Sequence, residues 1–205
     1  MRAPNNCLRR DMSKPPNPGV YVSEKPQASS GGGHRHRVLF LDRDGVININ
    51  HGYVCTPDRT DWVPGIFELG TVARKTGYVL VVATNQAGIA RGYYSEADFL
   101  EYTRWMHREF AARGLDILAT LYCPHHPTAG LGPLRTECSC RKPAPGMFQV
   151  ARDRFDLGLD MSVMVGDKES DLVAASTAGV GRGFLVDPYS ASPFDAVVKH
   201  LRQDS

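Results

Sequence analysis

Short apolar runs recur along the chain, with longer amphipathic stretches between them. Val38–Asp42, Tyr78–Ala83, Ile117–Tyr122, Ser162–Val165 and Gly183–Val186 read as strands. Pro64 to Lys75 reads as a helix, and Ser95 to Arg113 is the clearest one. Its apolar face includes Phe99, Tyr102, Met106 and Phe110, at spacings of three and four. Ser95 is placed as its N-cap, with Asp98 completing a capping box. Pro145 opens a further helix as a first-turn proline. Another spans Glu169 to Ala178 and stops at Gly179, and a last one covers Pro193 to Leu201. Strands alternating with helices predict an α/β fold, a parallel sheet covered on both faces. No internal repeat is visible.

Residues 1–36 break this pattern. They carry Pro4, Pro15, Pro16, Pro18, Pro26 and the run Ser29-Ser30-Gly31-Gly32-Gly33, with few large apolar residues, and are expected to be a disordered extension. His34 and His36 at its end are read as solvated. The remaining residues, 37–205, are expected to form one domain. The 205 residues include 42% hydrophobic and 22% charged ones, ordinary globular values. A net charge of +2 without a long basic block gives no footing for nucleic acid. The most apolar run, Tyr78 to Ala83, is far shorter than the roughly 20 residues of a membrane helix. Arg2, Arg9 and Arg10 are not followed by the apolar segment of a secretory signal. The expectation is a cytoplasmic monomer that meets neither membrane nor nucleic acid and keeps its thiols reduced.

The chemistry starts at Leu41-Asp42-Arg43-Asp44-Gly45. Side chains two apart in a strand share a side, so Asp42 and Asp44 can serve one point just past a strand end, where open parallel sheets bind ligands. A calcium loop fails on spacing. It requires Gly and Glu where the chain has Ile47 and Tyr53. Two carboxylates there attract a hard cation, magnesium above all. One Asp can then attack phosphorus while the other protonates the leaving alcohol. Asp42 needs no separate base, because a carboxyl of pKa about 4 is already ionised at pH 7. Gly45 permits a sharp turn and a close backbone approach. Further strand ends carry Thr84, then Arg141-Lys142-Pro143 before the Pro145 helix, then Gly166-Asp167-Lys168-Glu169-Ser170-Asp171. Thr84 suits a phosphoryl oxygen, and Lys142 offsets charge in the transition state. Asp167 completes a metal shell, and Asp171 holds the water or lysine around it. Each element alone has a plain reading: strand cap, surface lysine, or first-turn acid. Four in this order at strand ends favour catalysis.

The chain has five cysteines, three of them clustered. Cys123-Pro124-His125 and, twelve residues on, Cys138-Ser139-Cys140 offer three thiolates and one imidazole for tetrahedral zinc. Four protein ligands leave no open position, so such a zinc would be structural. It would pin the Gly- and Pro-rich loop from Pro124 to Glu137 and set the position of Lys142. His126 is an alternative ligand, and unpaired buried thiols are the other reading. Cys7 and Cys55 lie apart.

From Val38 to about Val186 the chain resembles the haloacid dehalogenase superfamily of phosphotransferases. The resemblance implies a Rossmann-like three-layer sandwich with a parallel central sheet, a minimal cap and a zinc-pinned loop. It implies Asp42 as nucleophile, Asp44 as acid and base, and Thr84 and Lys142 at the phosphoryl group. Magnesium would lie on Asp42, the Asp44 carbonyl and Asp167. Asp44 itself points to phosphate esters, because members attacking carbon–halogen bonds lack that residue.

The zinc loop, Asn50-His51-Gly52-Tyr53-Val54 and Thr84-Asn85-Gln86-Ala87-Gly88-Ile89-Ala90-Arg91-Gly92 are similar to a narrower group. These are the D-glycero-D-manno-heptose 1,7-bisphosphate 7-phosphatases, with the histidinol-phosphate phosphatases beside them. The segments at residues 50–54 and 84–92 and the length of the zinc loop all favour the heptose enzymes. Arg43, Asn50, His51, Gly52, Tyr53, Asn85, Gln86, Ala87, Arg141 and Lys168 would then contact substrate, with Arg141 on a second phosphate. Asn50 and Ala87 depart from the Asp and Ser common there, which weakens the sugar contacts and leaves the phosphoryl chemistry intact. The expectation is a magnesium-dependent sugar phosphatase supplying activated heptose for a surface glycan. Histidinol phosphate is the near alternative. A non-catalytic zinc-loop interaction module is the distant one, which the presence of Asp42, Asp44, Lys142 and Asp167 disfavours.

Overall fold

The computed structural model describes residues 17–23 and 35–203. Six strands form one sheet in the order β1-β4-β3-β2-β5-β6. They are β1 (Gly19–Val22), β2 (Arg37–Leu41), β3 (Tyr78–Asn85), β4 (Ile117–Cys123), β5 (Val163–Gly166) and β6 (Arg182–Leu185). The helices are α1 (Ile66–Lys75), the single turn α2 (Ala87–Ala90), α3 (Glu96–Ala111), α4 (Gly146–Phe155), α5 (Glu169–Ala178) and α6 (Asp195–Gln203). β2 to β6 run parallel.

Alternation along the strands builds two cores. Leu39, Leu41, Leu80, Val82 and Val165 face one way, onto Leu69 of α1, Met106 and Phe110 of α3 and Val197 and Leu201 of α6. Val38, Phe40, Val81, Ala83 and Met164 face the other way, onto Met147, Phe148 and Ala151 of α4 and Ala174 and Ala175 of α5. A strand buried on both faces needs apolar residues at every position, which is why these runs show no polar alternation. The three layers expected from the sequence follow directly. α3 starts at its Ser95 capping box, and α5 ends at Gly179, whose φ of 94° suits glycine.

Two differences from the sequence reading matter. Gly19–Val22 was expected within a disordered extension, yet it forms edge strand β1, antiparallel to β4 from Gly19↔Tyr122 to Val22↔Ala119. Four residues after a proline are too short a run for periodicity to register. Pairing with β4 supplies the stabilisation that the segment lacks alone. A side chain at Gly19 would run into the Tyr122 ring. His36 is likewise tied in, its carbonyl accepting from Gly158 N at 3.0 Å. The rest of the expected extension, residues 1–16 and 24–34, lies outside the described residues. The second difference is that β3 runs two residues further than read, because Thr84 and Asn85 pair with Tyr122 and Cys123.

β1 covers a buried histidine on α3. Tyr21 meets the His107 ring edge-on at 4.9 Å, and His107 Nε2 shares a hydrogen bond with Thr120 Oγ1 at 2.9 Å. Burial pushes the imidazole down to about 4. An unfolded histidine titrates near 6.5, so between about pH 6.5 and 4 the unfolded chain takes up a proton that the folded chain refuses. Stability is therefore full above that window and falls as pH drops through it. The loss attributable to His107 is on the order of 2 kcal/mol at pH 5. Urea melts of the wild type and His107→Gln at pH 7 and pH 5 should show a smaller pH-dependent drop in the variant. Equal drops would exclude this histidine as the source.

Candidate active site

β2 ends with the Asp42 amide donating to Val165 O at 3.0 Å, so the Asp42 carboxylate emerges between β2 and β5. The chain then turns tightly, with Ile47 N and Asn48 N both donating to Arg43 O and Gly45 N to Asn48 O. Gly45 has a φ of 98°, and an added Cβ would strike the Asp167 carboxylate. The bare backbone is what lets the β2 and β5 carboxylates approach each other.

Lys142 lies under this pair, almost wholly buried. Its Nζ donates to Ala83 O at 2.7 Å and is 2.7 Å from Asp171 Oδ1 and 2.9 Å from Asp42 Oδ1. Burial works against its charge, but Asp42 and Asp171 outweigh this and hold its pKa above the ordinary lysine value. Its backbone is fixed too: the Asn85 amide donates to Lys142 O and accepts from Lys142 N, both at 3.0 Å. Asn85, expected at the substrate, therefore also sets the height of the lysine.

Carboxylate oxygens of Asp42, Asp167 and Asp171 lie within 4.8 Å of one another. Asp171 is already committed, Oδ1 to Lys142 and Oδ2 to the Lys168 amide at 3.0 Å. Asp42 and Asp167 are the pair left for a cation. Asp42 Oδ1 is buried without a well-formed hydrogen bond. Burial and then the nearby Asp42 push Asp167 up to about 6, against the pull of Lys168. Crowded, under-neutralised carboxylates of this kind fit a hard divalent cation such as magnesium.

Asp44 is held from three sides. Arg43 Nη2 donates to both of its oxygens at 2.8 and 2.7 Å, Asn48 Nδ2 donates to Oδ1 at 3.2 Å and Gln86 Nε2 to Oδ2 at 3.1 Å. Arg43 was expected to touch substrate, but its side chain is fully enclosed. It also donates to Val54 O at 2.7 Å and lies 5.2 Å over the Tyr102 ring. Its reach to the site is through Asp44.

A cavity of about 340 Å³ opens over these groups. Asp42, Asp44, Asn50, Gly52, Tyr53, Asn85, Gln86, Ala87, Lys142 and Lys168, all expected from sequence, line it. Thr84, His51, Arg141 and Asp167 do not. Thr84 is buried, with its Oγ1 accepting from Gln86 Nε2 at 2.9 Å. His51 turns to Asp61, 2.7 Å away, Arg141 donates to His125 O at 3.1 Å, and Asp167 lines an adjoining cavity with Tyr189. Tyr94, Gly88 and Ser170 also line the main cavity and were not anticipated. Tyr94 belongs to no apolar period and reaches the site only through the turn at Gly92.

The cysteine cluster assembles as the spacing requires. Cys138 Sγ is 3.5 Å from Cys123 Sγ and 3.3 Å from Cys140 Sγ, too far for disulfides. His125 presents Nδ1 at 3.7 Å from Cys123 Sγ and 3.5 Å from Cys140 Sγ. His126 is engaged elsewhere, its Nδ1 accepting from Thr128 N and Ala129 N. Thiols donated by Cys123 and Cys140 hold Cys138 far below the ordinary thiol range. Three sulfurs and a nitrogen edge-to-edge at this separation fit tetrahedral zinc.

Comparison with known proteins decides the family. The chain is 49% identical over 148 residues, covering 72% of itself and 80% of the relative, to D-glycero-beta-D-manno-heptose-1,7-bisphosphate 7-phosphatase of Vibrio cholerae. The chain belongs to the heptose bisphosphate phosphatase family. A second member, D-glycero-alpha-D-manno-heptose-1,7-bisphosphate 7-phosphatase of Burkholderia mallei, is 50% identical over 77% of this chain and 84% of its own length. A protein-family profile described as HAD-hydrolase-like matches residues 139–188. The D,D-heptose 1,7-bisphosphate phosphatase of B. bronchiseptica, solved with magnesium and phosphate, superposes with a TM-score of 0.70 at 32% identity, over 82% of this chain and 99% of that one. A HAD-like protein from Mesorhizobium loti gives 0.78 at 31% identity, over 92% and 96%. The chain is thus a phosphatase with the family's HAD-type α/β fold, and no helix among the described residues is long and apolar enough to cross a membrane.

Replacing Cys138 by Ser removes one of the four clustered donors. Metal analysis of the purified variant should show lost zinc, and its melting temperature should fall by roughly 5 °C or more. A variant that melts with the wild type, or a wild type purified without zinc, would exclude a structural zinc here.

Proposed function

We propose that this family member removes the 7-phosphate of D-glycero-D-manno-heptose 1,7-bisphosphate, within the cytoplasmic supply of nucleotide-activated heptose for lipopolysaccharide or a related glycan. The observation that carries the chemistry is Asp42, a buried carboxylate at a strand end 2.9 Å from Lys142, with Asp44 two residues on.

Magnesium would sit on the Asp42 and Asp167 carboxylates and the Asp44 carbonyl, and it supplies positive charge that lets an anionic nucleophile meet an anionic phosphoryl group. Asp42 attacks phosphorus, the P–O bond to the sugar breaks, and Asp44 gives its proton to the departing oxygen. Asp44 then takes a proton from the water that cleaves the phospho-aspartate. Lys142, pinned between Asp42 and Asp171, keeps compensating charge beside the nucleophile throughout, and Thr84, buried beside the cavity-lining Gln86, would turn its hydroxyl proton to a phosphoryl oxygen. Lys168, half-exposed at the cavity rim and 3.3 Å from Asp167, suits the phosphate dianion on entry. Asn50, Gly52, Tyr53 and Ala87 form the outer wall, while His51 and Arg141 stand outside the lining and would reach substrate by turning away from Asp61 and His125. Zinc on Cys123, His125, Cys138 and Cys140 holds the loop before Arg141-Lys142. The enzyme works as a monomer on a small molecule.

The test is phosphate release under magnesium. The expected kcat/KM for the heptose bisphosphate exceeds that for histidinol phosphate by at least about 100-fold, a gap that one charge-assisted contact to the second phosphate would supply. A reverse preference would move the enzyme to histidine synthesis. Both sugar anomers belong in the assay, since the named relatives differ in anomer. Asp42→Asn should lower kcat by at least about 10³-fold with the fold intact by circular dichroism, and with a lowered melting temperature because buried Lys142 loses a charge partner. An Asp42→Asn protein retaining most of its turnover would sink the phospho-aspartate route.

A further inference from the structure

Tyr94 has no part in the mechanism above, yet it is connected to two groups that do. Its hydroxyl donates to Gln86 Oε1 at 2.7 Å. The opposite end of the same amide, Gln86 Nε2, donates to Asp44 Oδ2 at 3.1 Å and to Thr84 Oγ1 at 2.9 Å. A primary amide has two donors at one end and an acceptor at the other, and its shape is nearly the same when flipped. Flipped, Gln86 would turn its carbonyl oxygen toward the Asp44 carboxylate, acceptor against acceptor. Tyr94 removes that choice by occupying the acceptor end. Burial pushes the Tyr94 phenol well above its ordinary value, so it remains a donor at any working pH.

The other two holders of Asp44, Arg43 and Asn48, belong to the same turn as Asp44 itself. Among the described residues, Gln86 is the one hydrogen-bond donor to Asp44 from another element. It follows β3 directly, and its backbone is fixed by Gln86 N donating to Cys123 O at 2.8 Å. It therefore ties Asp44 to Thr84. The accepted bond also fills one lone pair of the Thr84 hydroxyl, so that group's own proton has to point elsewhere. The Tyr94 seat is built for this. An added Cβ at Gly88 would overlap the Tyr94 ring.

We propose that Tyr94 and Gln86 are positioning residues: Tyr94 locks the Gln86 amide, and the amide fixes the acid–base Asp44 relative to the phosphate-binding Thr84. The inference rests on the reading of Asp44 as the proton donor to the leaving group. It makes Tyr94, two residues beyond Gly92 and outside the recognised motifs, a determinant of proton delivery.

Leaving-group dependence tests it. A sugar phosphate departs as an alkoxide and needs the proton, whereas p-nitrophenyl phosphate departs as a stable phenolate and needs it far less. Gln86→Ala is expected to lower kcat on the sugar phosphate by about 10- to 100-fold, with KM within about threefold, and to spare the aryl ester by comparison. Tyr94→Phe, which removes one oxygen, should show the same pattern at roughly 3- to 10-fold. Gly88→Ala, which displaces the ring and leaves both side chains present, should match it. The double variant Tyr94→Phe/Gln86→Ala should be no worse than Gln86→Ala alone, because the two act through one amide. Equal losses on both esters, or additive losses in the double variant, would overturn the proposal. Asp44→Ala separates the two layers of the argument. If it shows the leaving-group pattern and the Tyr94 and Gln86 variants do not, only this inference fails. If it lacks the pattern, the reading of Asp44 as acid fails with it.

Discussion

One buried lysine organises this molecule. Lys142 sits in the floor of the cavity with its charge answered by Asp42 from β2, Asp171 from α5 and the Ala83 carbonyl from β3. Desolvating an ammonium costs several kcal/mol unless it is well paired, so these three elements cannot separate without exposing an uncompensated charge. The same pairing explains why Asp171 is unavailable to a cation and why Asp42 and Asp167 are the carboxylates that remain. The division of labour among four acids follows from where one cation is buried.

Around that centre the parallel sheet acts as a rigid ruler. The functional groups of β2, β3 and β5 leave the sheet at adjacent carboxyl ends, and apolar residues on both faces prevent the strands from sliding. The polar residues at those ends are then held by short local contacts, such as the Asn85 amide on the Lys142 peptide and the Asp171 carboxylate on the Lys168 amide. Rigid strands set ångström-scale position, and the amides and carboxylates set orientation.

Much of this was legible in the sequence because it depends on repeated or local signals. The two-faced apolar runs, the Ser95 box and Gly179 specify their elements with little outside help. The carboxylates at Asp42, Asp44, Asp167 and Asp171 and the paired Cys and His spacing are chemical patterns with few other uses. What could not be read depends on partners distant in the chain. β1 exists because β4 offers an edge about a hundred residues away. Arg43 looks like a substrate cation until Phe99 and Tyr102 of α3 close over it. Tyr94 and Gly88 acquire meaning only when a ring comes to rest on a bare backbone, and no composition or period records that contact.

The Asn85 clamp has a consequence for how such a protein can change. The loop from Pro124 to Glu137 leaves β4 at Cys123 and returns at Cys138, while Lys142 beyond it is fixed by Asn85 and by two carboxylates rather than by the loop's own length. The length of the loop is therefore uncoupled from the position of Lys142. Leu131 N donates to Ala90 O at 2.7 Å and Leu134 packs on the cluster that holds Tyr94, so exchanges in this segment act behind the cavity wall and not on the lysine in its floor. That makes the segment a place where evolution or design can tune the wall from behind while the lysine stays in register.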